Sequence, residues 1–224
     1  MKRLVDLSLD LYDKAPVFWP DPKTAILPHL TIENLGYNIT QLSISSHLGT
    51  HLDAPFHFFH DGKTVDQIAL HTCFGPAWVL DFTSKGAQDT ITREELERYN
   101  DKITEGARII IHTGWYKCFP DDSYFNELPS ITVEACEYLA DKKIACLAMD
   151  FPSVNYQNYQ EAHKALLKNE VVIVEGLNNL GLLKEDRVVF IALPLRIKGR
   201  DGSPCRAIAI EGLSEDELNV CNFD

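Results

Sequence analysis

Two short stretches, residues 77–82 and 107–112, are near-continuous apolar runs, and they constrain the fold more than any other feature. Runs of that length without alternation belong to strands covered on both faces, as in a parallel sheet. Between them, Thr92-Arg93-Glu94-Glu95 carries the reciprocal capping pattern of a helix start. The same rhythm continues with a helix predicted over 133–141, a strand over 144–149, a helix over 161–168 and a strand over 171–175. Two further strands are predicted over 187–193 and 205–211. Upstream the chain is β-rich: residues 4–11 alternate apolar with polar, and residues 38–46 do so through Ile39, Leu42 and Ile44. Residues 16–28 hold four prolines with Phe18 and Trp19, read as an ordered loop whose aromatics are placed to serve a ligand. The expectation is one α/β domain over 1–224, a mixed sheet covered by helices, with reactive groups at strand ends and loops.

Composition narrows the partner. A chain of 224 residues with 45% apolar and 24% charged side chains is an ordinary globular protein large enough for one core. Its formal charge of -12 and pI near 5.1 repel nucleic-acid phosphates and anionic membranes, so a small molecule is the expected ligand. No segment approaches the roughly 20 apolar residues of a membrane span. Asp6 and Asp10 interrupt any signal-peptide core, and the expected location is the cytoplasm. Cys73, Cys118, Cys136, Cys146, Cys205 and Cys221 show no C-x-x-C spacing and are expected to be mostly reduced, buried thiols. The acidic stretch 214–217 reads as a solvated helix turn.

The chemistry concentrates in His47-Leu48-Gly49-Thr50-His51-Leu52-Asp53-Ala54-Pro55-Phe56-His57. Three imidazoles and a carboxylate within eleven residues are the donors that hold a zinc-like ion while leaving a position open for water. Gly49 and Pro55 disfavour a helix, so the expectation is a strand ending in a tight turn, with the ligands on loop backbone. His60 and His71 follow without matching partners and serve as an internal comparison. Two later residues extend the candidate set: His163 inside a predicted helix, and Glu175 at the end of Val171-Val172-Ile173-Val174. A carboxylate closing a buried strand is costly unless it is paired or binds a cation.

The run matches without a gap the H-x-G-T-H-x-D-x-P-x-H signature of the cyclase family of metal-dependent hydrolases, whose best-known branch is the bacterial kynurenine formamidases. Glu161-Ala162-His163 and Val174-Glu175-Gly176-Leu177 resemble the family's second His and Glu pair. Ala192-Leu193-Pro194-Leu195-Arg196, then Gly199, Asp201, Ser203-Pro204 and Arg206-Ala207, resemble its C-terminal strand pair. The resemblance implies a swivelling β/β/α fold, assembled as a homodimer or larger homo-oligomer. It implies two divalent ions per subunit, zinc or manganese: His47, His51 and Asp53 on the first, Asp53 and His163 on the second, and Glu175 bridging both. His57 would stay unligated as the proton carrier. The implied reaction is arylformamidase hydrolysis of N-formylkynurenine to kynurenine and formate in tryptophan breakdown, with Trp19 or Phe18 stacking on the aryl ring. The formamidases read approximately Val-Trp-Pro-Gly-Asp where this chain reads Val17-Phe18-Trp19-Pro20-Asp21, without the Gly and with an extra aromatic. An isatin-type lactam hydrolase, a hydrolase of other amides or lactones, and a non-catalytic metal-binding protein therefore stay open. The aromatic stretch 114–129 is read as a pocket lid, a packed surface loop or a subunit contact.

Overall fold

In the computed structural model, which describes residues 1–221, the first half of the chain runs β1 (Arg3–Asp6), β2 (Ala25–Leu30), α1 (Ile32–Leu35), β3 (Ile39–Ser43), β4 (His51–Asp53) and β5 (Phe74–Asp81). Then come β6 (Thr90–Ile91), α2 (Arg93–Glu97), β7 (Arg108–His112), α3 (Asp122–Asn126), β8 (Ser130–Ile131), α4 (Val133–Asp141) and β9 (Cys146–Met149). The last part is α5 (Tyr159–Leu167), β10 (Val172–Glu175), β11 (Arg187–Pro194), β12 (Gly202–Glu211) and α6 (Glu215–Val220).

Eight strands form one mixed sheet in the order β1-β12-β11-β5-β7-β9-β10-β4. β5, β7, β9 and β10 are parallel neighbours, which is where the apolar runs fall. β12 begins by pairing antiparallel with β4, Gly202 opposite Asp53, and continues along β11 and β1. That double pairing closes the sheet into a barrel-like ring. Successive residues then face different layers. Ile110, Ala148, Val172 and Val174 point inward with Ala77, Cys146, Ala207 and Ala209, so the interior is filled by mostly small side chains. Ile109, Ile111, Leu147, Met149 and Ile173 point outward onto Ala135 and Leu139 of α4 and Leu166 of α5. Burying each Ile or Leu this way is worth about 1.5–3 kcal/mol. The predicted α2 start is present: Thr92 Oγ1 accepts from Glu95 N at 3.4 Å, and Glu95 Oε2 accepts from Thr92 N at 3.0 Å.

Four local expectations change. The first strand stops at Asp6, although Leu7 and Leu9 remain buried. β3 does not join the main sheet: it pairs with β2 in a separate two-stranded sheet, and all five of its residues are exposed. β2 itself begins inside the expected loop of 16–28. No strand of the main sheet leads into the His47–His57 run. Residues 46–50 turn, and the run supplies its own short strand, β4, in that sheet. The acidic stretch 214–217 opens a capped helix, α6, which buries Leu218. Among the described residues no helix is long and apolar enough to cross a membrane.

Candidate metal centre

β4 and β10 lie side by side, with His51 opposite Glu175 and Asp53 opposite Ile173. Both carry polar side chains at the end of an otherwise apolar layer, and α5 brings His163 over the same point. His51 Nε2 is 3.4 Å from Glu175 Oε2 and 3.5 Å from Asp53 Oδ1. His163 Nε2 is 3.2 Å from Glu175 Oε1 and 3.5 Å from Asp53 Oδ2. His47 Nδ1 is 2.7 Å from Asp53 Oδ1. The ligand atoms of His47, Asp53 and His57 all lie within 4.8 Å of one another, and so do those of His51, Asp53 and Glu175. The six residues singled out in sequence therefore converge, with Asp53 common to both groups. His57, expected to stay unligated as the proton carrier, lies with His47 and Asp53 in the first group. His60 and His71 are exposed and take no part.

Backbone partners fix two of the rings. His51 Nδ1 donates to Gly49 O at 2.8 Å and His163 Nδ1 donates to Tyr159 O at 2.6 Å, so both present Nε2 to the cluster. Asp53 is 1% exposed, and neither of its oxygens has an aligned hydrogen-bond donor. A buried carboxylate surrounded by ring nitrogens, with its own lone pairs unsatisfied, is the environment a divalent cation fits. Nitrogen and oxygen donors without a thiolate suit zinc or manganese alike.

The charges of the metal-free protein point the same way. Burial opposes ionisation of Asp53, yet His47 and His163 hold it well below the usual carboxylate range. Burial also opposes charge on His163, but Asp53 and Glu175 hold it up to about 10. Against the same burial, the carboxylates of Asp53 and Asp201 raise His47 well above an ordinary imidazole. Protons on the imidazoles thus occupy the place of a cation. His57 differs: burial pulls it below the usual histidine value, leaving it neutral near pH 7. Cys146 and Cys205 are no rival nucleophiles, since burial pushes both thiols up to about 12.

A cavity of about 610 Å³ opens above the cluster, with Phe18, Trp19, Phe58, Phe125, Tyr156 and Tyr159 in its walls. Trp19 is 86% exposed at the mouth, while Phe18 is half-buried and meets Phe125 edge-on at 6.3 Å. The 114–129 stretch contributes a packed wall: Trp115 and Tyr124 are buried, and the Trp115 indole donates to Tyr124 O at 3.0 Å. One residue at the site was given no role in the sequence. Asp201, between β11 and β12, accepts from His47 Nε2 at 2.6 Å. Its only sequence signal is its place in the C-terminal motif.

The Cyclase family model matches residues 5–156, and this chain belongs to that family. Among its relatives are the kynurenine formamidase of Bacillus cytotoxicus, 33% identical over 91% of this chain and 95% of the relative, and that of Bacillus mycoides, 34% identical over 79% and 82%. Solved structures agree. Isatin hydrolase A from Labrenzia aggregata superimposes with a TM-score of 0.84 and 27% identity, covering 93% of each chain. A structure described as a potential metal-dependent hydrolase with cyclase activity gives 0.81 and 27%, covering 96% of this chain and all of the other.

Proposed function

We propose that this protein is a metal-dependent amide hydrolase, an arylformamidase that converts N-formylkynurenine to kynurenine and formate. The observation that carries the proposal is the buried Asp53 carboxylate, unsatisfied and ringed by imidazoles that, with Glu175, line an aromatic-walled cavity. The relatives named kynurenine formamidase, which align over 79% to 91% of the chain, support the substrate. His47, His51 and Asp53 would hold one divalent ion, and Asp53, His163 and Glu175 a second, with Glu175 shared; the approach of both His51 and His163 to within 3.5 Å of Asp53 and of Glu175 supports a pair. Zinc is the first choice and manganese the second. When bound, a divalent ion polarises the carbonyl under attack and lowers the pKa of water from 15.7 toward roughly 7.

The chain's own residues do the rest. Phe18 and Trp19 hold the aryl ring, a contact worth about 0.5–1.5 kcal/mol beyond burial. His57, neutral and facing the same floor, takes the proton from the attacking water. As the bond from the formyl carbon to the aniline nitrogen breaks, His57 returns that proton to the nitrogen, which leaves as a neutral amine. The formyl group departs as formate. Glu175 keeps its orientation because its Oε1 accepts from Val154 N at 3.0 Å.

A lactam-opening activity is the second reading, favoured by the 0.84 superposition on isatin hydrolase A and by the additional aromatic at Phe18. A panel of formanilides, isatin and lactones, run on metal-reconstituted protein, separates the readings. Turnover of formanilides over isatin supports the formamidase. Turnover of isatin alone moves the substrate, and no turnover of any member would return the protein to a non-catalytic metal binder.

The proposal includes a homo-oligomer. Leu27, Ile32, Leu35, Tyr37 and Leu42, on and beside the β2–β3 hairpin, are each at least half exposed, and a second copy is the economical cover for them. A cytoplasmic location is supported by the six free thiols.

A further inference from the structure

His47 is inverted relative to His51 and His163. His51 and His163 donate Nδ1–H to backbone carbonyls and turn Nε2 inward, whereas His47 turns Nδ1 inward, 2.7 Å from Asp53 Oδ1. Its Nε2 faces outward onto Asp201 Oδ2 at 2.6 Å. A carboxylate only accepts, so this contact holds a hydrogen on Nε2, and Nδ1, which faces Asp53 inside the cluster, is the nitrogen that gives up its proton to a cation. Asp201 cannot itself join the donor cluster, because the imidazole ring lies between.

Asp201 is braced from three sides. Ser46, next to His47 in sequence, donates its hydroxyl to the same Oδ2 at 2.9 Å, and Asp201 O accepts from Ala54 N at 2.8 Å. The following residue, Gly202, starts β12 opposite Asp53, and a methyl group there would lie 2.6 Å from Leu52 O and 3.0 Å from His47 Cε1. The strand therefore packs its backbone directly on the ring it orients. The same Oδ2 is 3.9 Å from His57 Nδ1, and the His47 and His57 rings are tilted at 35° with centroids 4.1 Å apart.

We propose that Asp201 is the positioning residue of this centre: through its bond to His47 Nε2 it selects Nδ1 of His47 as the metal-facing nitrogen. It touches neither the metal nor the substrate. This rests on the metal-site reading above, and the test is chosen to fail separately from the formamidase reading.

The experiment compares the full-length protein with Asp201→Asn and Asp201→Ala, without substrate. Zinc affinity is read by competition with a chromophoric chelator, and the nitrogen by which His47 holds zinc by long-range nitrogen-15 NMR of the zinc-loaded protein. The expected result is zinc binding about 10-fold weaker in Asp201→Asn and up to about 100-fold weaker in Asp201→Ala, with Nδ1 of His47 the uniformly metal-bound nitrogen only in the parent. The isosteric Asn variant keeps the test open if the Ala variant fails to fold. Parent-like zinc affinity, or His47 still bound uniformly through Nδ1, in either folded variant would overturn the proposal. A parent that binds zinc but does not hydrolyse N-formylkynurenine would overturn only the substrate.

Discussion

At His57, burial and charge oppose one another. Burial and the neighbouring imidazoles His47 and His163 disfavour the proton, Asp53 and Glu175 favour it, and the balance falls below the ordinary histidine value. The neutral form is the one that accepts a proton, so the rate falls as pH drops through that pKa. A pH profile of kcat/KM should place its acidic limb below pH 6.5, and bound divalent ions would push it lower still. A limb above 6.5 would remove His57 from the base role. Replacing His57 by Ala should lower kcat by about 10²–10⁴-fold, with metal content by elemental analysis unchanged. Loss of metal together with activity would instead make His57 a ligand, which its proximity to His47 and Asp53 permits geometrically.

Among the elements, the turn at 46–50 and the end of β10 hold each other in register. Thr50 Oγ1 donates to Gly176 O at 2.5 Å and accepts from Leu9 N at 2.8 Å. Gly176 has φ +69°, and a Cβ there would meet Gly49 O at 2.6 Å, so the residue after Glu175 must lack a side chain. Gly176→Ala is predicted to destabilise the fold by roughly 2 kcal/mol or more in urea unfolding, from left-handed strain plus the clash. Zinc affinity should fall with it, since Glu175 and His51 are set by the same contact. An unchanged urea midpoint would contradict this. The elements also show where sequence was sufficient. Residues 133–141 were readable to the residue because Thr132 caps a helix whose apolar stripe is local. β3 was readable as a strand but not in place: alternation reports that one face differs from the other, not that the hairpin carrying it projects from the main sheet.

For the whole molecule, closing the sheet is what assembles the centre. β4 pairs with β10 on one side and β12 on the other, so the 47–57 run, Glu175 and Asp201 meet although they are far apart in sequence. Donors inside the run were legible because their spacing is local and their chemistry unambiguous. Glu175 was legible because a carboxylate ending a buried apolar strand must find either a cation or an ion-pair partner there. Asp201 was not, because in sequence it is a polar residue before a Gly, and its meaning appears only when β12 lies against β4. The cavity is likewise a long-range product, with Phe18 and Trp19 from one loop facing Phe125 of α3, Tyr156, and Tyr159 at the start of α5. On the proposed function, these parts together form a centre that hydrolyses an aryl formamide with the help of bound metal. The decisive measurement is the rate of N-formylkynurenine hydrolysis by metal-reconstituted protein, followed by kynurenine absorbance. Fast turnover is predicted, abolished by a chelator, restored by added zinc or manganese, and absent in Glu175→Ala. Turnover that survives both the chelator and Glu175→Ala would contradict a metal-dependent centre.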